Sequence, residues 1–371
     1  MVRLILLATL FFLGAGAVVI FFWPRENSVA TISSIITPVP KDMSQPRVLG
    51  WIPYWDEKNA WESFTAHSSD FNFVSFFWYH LDKKGTIVPY RRASEDQALI
   101  DTAHQKGVKV MGLVANLPDS DEGGDWDSDR VGQAIGSSTA RQKHIAALLA
   151  LVDKFAFDGI DIDYEALKIA QRDDFSVFIE ELARALHARG KLVGVAIHPK
   201  TDEGRPDEAN GSQAQDWVRL AGAADHLYFM TYTQHAKTSG PGSSGSLDWV
   251  RHILYYALEE VGIPREKIFL GIGLFGLRWE KEGSDYRGLN DDLTYAQIQT
   301  IIDKTGTTIA WDDTSMSPYI RYQQKNTSYE IWFENARSVE TRAQLARQLG
   351  LGGVALWRLG GEDDSIWDKL P

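Results

Sequence analysis

Along residues 47–371, short apolar runs alternate with stretches in which apolar residues recur at helical spacing. Buried strands that alternate with amphipathic helices are typical of parallel βαβ units. The pattern therefore predicts an α/β fold, a closed (β/α)8 TIM barrel. A doubly wound open sheet is the alternative, but no Gly-x-Gly-x-x-Gly sequence follows the first run. The eight predicted strands are residues 48–52, 74–79, 109–116, 159–165, 192–198, 226–233, 268–275 and 353–357, and the amphipathic stretches include 96–106, 139–154, 173–189, 247–262 and 339–349.

Residues 277–333 do not fit a single βα unit of such a barrel. They contain a helical pattern near residues 294–304 and two alternating runs, 319–323 and 329–333, which a turn-like Lys-Asn-Thr-Ser sequence separates. Alternation with a period of two is typical of half-buried strands. The segment is therefore predicted to be a small α+β insertion after the seventh barrel strand.

The first residues of the chain have a different pattern. Residues 4–23 carry no charge, are mainly apolar and have the length of a membrane-spanning helix. A cleaved secretion signal is the alternative, because Ala15-Gly16-Ala17 resembles a cleavage site, but cutting there would leave an apolar stretch at the new terminus. We therefore expect an uncleaved transmembrane anchor over residues 1–24 and a Ser-, Thr- and Pro-rich linker over residues 25–46. The barrel would then lie outside the cytoplasm, anchored to the membrane, or be secreted if the segment is cleaved.

Composition narrows the classes of function. The chain has no cysteine, which excludes disulfides and thiol chemistry, and its formal net charge of -12 argues against nucleic acid as a partner. Tryptophan occurs 13 times, and although most of these side chains are expected in the core, their flat faces can also support a sugar ring. Composition therefore permits a glycan-handling enzyme without establishing one.

The sharpest chemical signal lies in the fourth predicted strand. Asp161, Asp163 and Glu165 alternate with apolar residues, so they share one face of the strand at steps of roughly 6.6 Å. Carboxylates this close raise one another's pKa and share protons, which yields a proton donor near neutral pH. A metal site or a solvated strand edge are the alternatives. His198 and His235 have no third ligand at a suitable spacing, so we assign no metal.

The sequence Asp158-x-x-Asp161-x-Asp163-x-Glu165 resembles the signature of glycoside hydrolase family 18, the chitinases and endo-β-N-acetylglucosaminidases. The resemblance covers residues 47–371 and implies a TIM barrel with its active site at the carboxyl ends of the strands. It is closest to bacterial branches that include spore-cortex-lytic N-acetylglucosaminidases and modules fused to polysaccharide deacetylases. Further segments that carry it are residues 50–55, 77–79, 240–242, 249–250, 332–336 and 355–363.

The resemblance implies a mechanism without a cofactor. Glu165 would be the general acid and base, and the acetamide oxygen of the substrate itself would attack the anomeric carbon, so the enzyme would retain the configuration there. Asp163 would hold the acetamide nitrogen, and Asp161 would share a proton with Asp163. Asp158 points to the other face of the strand and is expected to be structural.

Other positions are assigned by the same resemblance. Residues 230–233, Met-Thr-Tyr-Thr, match the family pattern Met-x-Tyr-Asp at Met230 and Tyr232, and Tyr232 would donate its hydroxyl to the acetamide oxygen. Thr233 departs from the family Asp, which puts rate and specificity in question. Trp357 would form the floor of the pocket. Trp51, Tyr54 and Trp78 are expected to line the groove, with ordinary packing as the alternative for each.

Two functions of different classes follow from these observations. The first is a retaining hydrolase of β-1,4-linked N-acetylglucosamine in chitin-like glycans or peptidoglycan. The second is a non-catalytic, lectin-like glycan-binding protein of the same fold, which typically lacks the terminal Glu of the signature. Because Glu165 is present, the hydrolase is favoured.

Overall fold

The computed structural model describes residues 45–203, 211–289 and 292–370, and its centre is a barrel of eight parallel strands. Numbered along the chain, the strands are β1 (Arg47–Pro53), β2 (Phe73–Leu81), β3 (Ile87–Pro89), β4 (Lys109–Ala115), β5 (Gly159–Asp163), β6 (Leu192–Ile197), β7 (His226–Phe229), β8 (Ile268–Gly273), β9 (Leu277–Glu282), β10 (Asp285–Gly288), β11 (Ala310–Asp312), β12 (Ser317–Gln324), β13 (Thr327–Trp332) and β14 (Gly353–Trp357). The helices are α1 (Glu57–Ala66), α2 (Gln97–Gln105), α3 (Ser128–Ile135), α4 (Ser138–Phe155), α5 (Arg172–His187), α6 (Trp217–Ala223), α7 (Leu247–Tyr255), α8 (Tyr295–Thr305) and α9 (Ala336–Leu349).

Closure of the sheet confirms the predicted barrel and excludes the open sheet. Strand β1 pairs in parallel with both β2 and β14, and the remaining neighbours run from β2 through β4, β5, β6, β7 and β8 to β14. A closed sheet of this kind leaves no unpaired barrel edge. Each of the eight predicted runs overlaps a barrel strand, but β5, β7 and β8 end two or more residues earlier than predicted, at Asp163, Phe229 and Gly273. Glu165 and Tyr232 therefore lie in the loops that follow these strands.

Helix α4 shows how the outer layer forms. The Ser137 hydroxyl accepts a hydrogen bond from the Ala140 backbone N–H at 3.2 Å and so begins the helix. Leu148, Val152 and Phe155 recur at spacings of three and four residues and are buried. Burying each such side chain contributes about 1.5–3 kcal/mol, which fixes the helix against the barrel.

The predicted insertion, residues 277–333, contains a five-stranded antiparallel sheet in the order β10-β9-β13-β12-β11. Helix α8 and this sheet share a small apolar cluster. The two predicted runs correspond to β12 and β13, whereas β9, β10 and β11 were not predicted. In β9 and β10 charged residues such as Arg278, Glu280 and Arg287 interrupt the apolar pattern, and ion pairs between the strands replace apolar contacts. The buried members of the cluster are Leu293, Ile298, Ile320, Tyr322, Ile331 and Phe333.

The predicted anchor over residues 1–24 and almost all of the predicted linker lie outside the described residues. Within the described part of the chain, no helix combines the length and apolar character needed to cross a membrane.

Candidate active site

A cavity of about 590 Å³ opens at the carboxyl ends of the barrel strands. Parallel barrels place the loops that follow their strands at this end, where side chains from distant parts of the sequence meet. The acidic members of the lining are Asp161, Asp163, Glu165 and Asp292, and the aromatic members are Trp51, Trp55, Trp126, Tyr228, Tyr232, Phe275 and Trp357.

The three acidic residues of the β5 signature lie together in this cavity. Asp161 and Asp163 are 1% and 7% exposed, and the Glu165 side chain is 18% exposed. Burial raises the pKa of Asp161 to about 7. The hydrogen bond that the Tyr228 hydroxyl donates to Asp161 Oδ1 at 2.9 Å acts in the opposite direction and lowers this pKa. Burial, and secondarily the charge of Asp161, raise the pKa of Asp163 to about 7. At neutral pH the row therefore keeps protons that solvated carboxyls would have lost.

Glu165 is the member of the row nearest to solvent. Burial raises the pKa of Glu165 well above its ordinary value, and the charges of Asp163 and Asp125 add to this effect. Its backbone is fixed by Asn116 at the end of β4: Asn116 Oδ1 accepts from the Glu165 N–H at 2.8 Å, and Asn116 Nδ2 donates to the Glu165 carbonyl at 2.9 Å. A protonated carboxyl on a fixed backbone is suited to general acid catalysis.

Tyr232 and Trp357 lie in the same cavity as the acidic row, as do Met230 and Trp51. Burial and the negative charges of Asp163 and Glu165 raise the pKa of Tyr232 well above its ordinary value, so its hydroxyl remains a hydrogen-bond donor at any physiological pH. The Trp357 ring packs edge-on against Trp51 at a centroid distance of 5.8 Å. The cavity thus combines a row of proton-sharing carboxyls, a phenol donor and an aromatic surface.

Two residues that were expected to line the groove lie elsewhere. Trp78 is fully buried behind the barrel wall, where its ring stacks on Phe76 and its indole N–H donates to Glu57 Oε2 at 2.5 Å. Phe76 and Trp78 share one face of β2, whereas the Phe77 ring between them packs edge-on against the cavity residue Trp357 at a centroid distance of 5.7 Å. Tyr54 stacks on Tyr90 at a centroid distance of 4.0 Å and does not line the cavity. Trp78 and Tyr54 thus pack against neighbouring side chains, which was the alternative given for each.

Three functional contacts were not predicted from the sequence. Tyr228 on β7 binds Asp161, and Asn116 binds the backbone of Glu165. Both are polar residues at or near the end of a strand that neighbours β5 or β6. Trp126 lines the cavity from the acid-rich loop between β4 and α3. A lone aromatic residue in an acidic loop was the available signal for it.

Asp158 lies at the amino end of β5, on the side opposite the cavity. Its Oδ2 accepts hydrogen bonds from the Val110 backbone N–H and pairs with His104 Nε2, both at 2.9 Å. This agrees with the structural role expected for it. Thr233 lines the cavity but is exposed, and its hydroxyl donates to the Met230 carbonyl at 3.4 Å. Among the described residues, no three His, Asp or Glu side chains are grouped in a way that could hold a metal ion.

Gly194 on β6 has no side chain, and this leaves room for the Asp161 carboxyl. A Cβ at this position would lie 2.2 Å from Asp161 Oδ1 and 2.4 Å from the Tyr228 hydroxyl. We expect Gly194→Ala to lower the free energy of unfolding by about 1–3 kcal/mol, the usual cost of overpacking a core. Gly222→Ala in α6, where the added carbon would meet no atom within 4 Å, is the control and should leave stability unchanged or slightly raised. Equal denaturant midpoints for the two variants would show that the Asp161 carboxyl can shift freely.

Comparison with known proteins gives a consistent result. The family model for Glycosyl hydrolases family 18 matches residues 50–363. An uncharacterized glycosylase, YvbX, of Bacillus subtilis is 25% identical over 313 residues, 84% of this chain and 87% of that protein. A cortical fragment-lytic enzyme of the same organism is 25% identical over 301 residues, 80% of this chain and 66% of that protein's own length.

Solved structures extend the comparison to the fold. The crystal structure of a chitinase from Chromobacterium violaceum is 29% identical, with a TM-score of 0.77 over 87% of this chain and 97% of that one. The Bacillus cereus spore cortex-lytic enzyme SleL has a TM-score of 0.77 at 20% identity, over 90% of this chain and 76% of that one, which is a likeness of fold.

Proposed function

The chain belongs to glycosyl hydrolase family 18, and from this membership we propose that it is a retaining hydrolase of glycans that contain β-1,4-linked N-acetylglucosamine. The observation that carries the proposal is the row of buried, proton-sharing carboxyls in an aromatic-lined cavity at the carboxyl end of the barrel. A glycan-binding protein needs the aromatic surface but has no use for the buried acids, which cost stability.

The residues divide the reaction between them. Glu165 donates its proton to the glycosidic oxygen while the carbonyl oxygen of the substrate's acetamide group attacks the anomeric carbon, which breaks the glycosidic bond. Asp163 accepts a hydrogen bond from the acetamide N–H and stabilises the positive charge that develops on it, and Tyr232 donates to the acetamide oxygen and so orients the nucleophile. The Glu165 carboxylate then removes a proton from water, which opens the cyclic intermediate from the face that the leaving group vacated.

The substrate class follows from the same cavity. Trp357 offers a flat apolar face to a sugar ring, and Asp163 and Tyr232 provide the acceptor and donor that an acetamide group requires. Relatives named as chitinases and as a cortical fragment-lytic enzyme support N-acetylglucosamine-containing glycans, chitin-like or peptidoglycan, as the substrate of this chain as well.

The test uses the purified full-length protein with chitin oligosaccharides and with purified peptidoglycan, and products are identified by mass spectrometry. We expect fragments with a new reducing end, and proton NMR of the first product should show the β-anomer because two displacements retain configuration. An α-anomer would contradict the substrate-assisted mechanism. Retention of the protein on the glycan without any product would favour the lectin-like function.

We also propose that the catalytic domain acts outside the cytoplasm, held by an anchor in residues 4–23. The support is the uncharged, apolar sequence of this segment. In a cell that expresses the full chain, the protein should sediment with membranes and resist extraction by high salt. Recovery of a shortened chain from the medium would instead indicate a cleaved secretion signal.

A further inference from the structure

His198 follows β6 directly and lies beside Glu165. Its side chain is 4% exposed, and His198 Nε2 is 3.5 Å from Glu165 Oε2. Its backbone is fixed, because the His198 N–H donates to Gln215 Oε1 at 2.7 Å while Gln215 Nε2 donates to the Ala196 carbonyl at 2.9 Å. The His198 ring is therefore held next to the carboxyl at a fixed place in the barrel wall.

Neither ring nitrogen of His198 has a hydrogen-bond partner within the described part of the chain. Buried polar atoms without partners are uncommon in folded proteins and call for an explanation. Glu165 Oε2 is the acceptor in reach of Nε2, and hydrogen bonds of catalytic groups are often long before substrate binds. A small movement of either side chain would bring His198 Nε2 and Glu165 Oε2 to ordinary hydrogen-bond distance.

The charge of the ring decides what this contact can do. Burial lowers the pKa of His198 to about 3, so the imidazole is neutral at any pH at which the protein would work. The other groups that act on Glu165 are Asp163 and Asp125, which disfavour its ionisation, and Tyr232, which is uncharged. A neutral N–H in this position can stabilise the Glu165 carboxylate by a hydrogen bond. It lowers the pKa of Glu165 less than a cation in the same place would.

We propose that His198 is a positioning residue for Glu165, with its Nε2–H directed at Oε2. In this role it holds the carboxyl in the rotamer that faces the glycosidic oxygen. It also stabilises the carboxylate that forms when Glu165 gives up its proton. The inference rests on the proposed function, since it assigns a partner to the proposed acid.

The test compares His198→Phe, which keeps an aromatic ring but removes both nitrogens, with His198→Gln, which keeps an N–H donor. We expect His198→Phe to lower kcat by about 10- to 100-fold, the usual effect of removing a hydrogen bond to a charged group, with KM changed less than about twofold. The alkaline limb of the kcat/KM profile should move to higher pH, because the carboxylate has lost its donor. His198→Gln should recover most of kcat and the wild-type limb.

A second measurement separates this inference from the proposed function. Titration of the Glu165 carboxyl by carbon-13 NMR, assigned by the signal lost in Glu165→Gln, needs no turnover and should show a higher Glu165 pKa in His198→Phe than in His198→Gln. Equal pKa values and equal rates in the two variants would mean that His198 only packs against its neighbours. If His198→Phe does not fold, His198→Asn and His198→Leu provide the same comparison. A wild-type protein that is inactive on every glycan overturns the proposed function, while the titration still decides the contact.

Discussion

Replacing Glu165 with Gln is expected to lower kcat by about 10³-fold or more while the fold and the affinity for glycan are kept. The amide has the shape of the carboxyl but cannot give a proton to the leaving oxygen or take one from water, so it fails in both chemical steps. General acid–base catalysis alone is worth about 10²- to 10⁴-fold. Glu165 keeps its backbone bonds to Asn116 in the variant, because these involve no atom of its own side chain.

The measurement is kcat on a chitin oligosaccharide, with Kd for the same ligand measured by calorimetry. Glu62→Gln is the matched control, since Glu62 is exposed on α1 and pairs with the exposed Lys58 at 3.8 Å. A Glu165→Gln protein with more than a tenth of wild-type kcat would rule Glu165 out as the acid. Loss of binding together with turnover would mean that the substitution disturbed the cavity rather than the chemistry.

Asp163→Asn is expected to reduce kcat by about 10²-fold and to change the pH profile as well. The rate falls because the positive charge on the acetamide group loses its counter-charge at a buried position, where such an interaction is strong. The profile changes because the charge of Asp163 helps to raise the pKa of Glu165. Without that charge Glu165 releases its proton more readily, so the alkaline limb of kcat/KM should move to lower pH.

Asp158→Asn is the control from the same strand. Its hydrogen bonds to Val110 and His104 lie away from the cavity, so we expect a loss of about 1–3 kcal/mol in the free energy of unfolding and a kcat close to that of the wild type. An alkaline limb that stays in place in Asp163→Asn would contradict the electrostatic coupling between Asp163 and Glu165. A kcat loss of equal size in Asp158→Asn would mean that any damage to β5 stops turnover.

The sequence predicts the barrel because its strands are buried on both faces and therefore read as uninterrupted apolar runs. It predicts the acidic row for the opposite reason, since carboxyls among apolar residues on such a strand are conspicuous. Strand ends are harder to predict: β5 ends at Asp163 and β7 at Phe229, because the backbone leaves the hydrogen-bonded ladder before the sequence changes character.

What the sequence does not predict depends on contacts between residues that are distant in the chain. Trp78 shares one face of β2 with Phe76, and its contact with Glu57 of α1 shows that this face is turned away from the groove. The contacts of Asn116 and His198 with Glu165 join residues 49 and 33 positions apart, which period-based interpretation cannot detect. The charged strands β9 and β10 are not predicted because ion pairs, such as that of Arg287 with Glu280, stabilise their pairing in place of apolar contacts.

The separate apolar cluster of the insertion has a consequence for how this enzyme could diversify. Leu293 belongs to that cluster and also lines the cavity, together with its neighbours Asp292 and Thr294. The acids to which we assign the chemistry belong to β5 and the loop after it. If the proposed function is right, selection can remodel this wall of the cavity while the proposed reacting groups keep their surroundings. Replacing residues 277–333 with the corresponding segment of a relative that prefers another glycan should therefore change the glycan preference and leave the acids of β5 in place. Laboratory evolution could use this modularity.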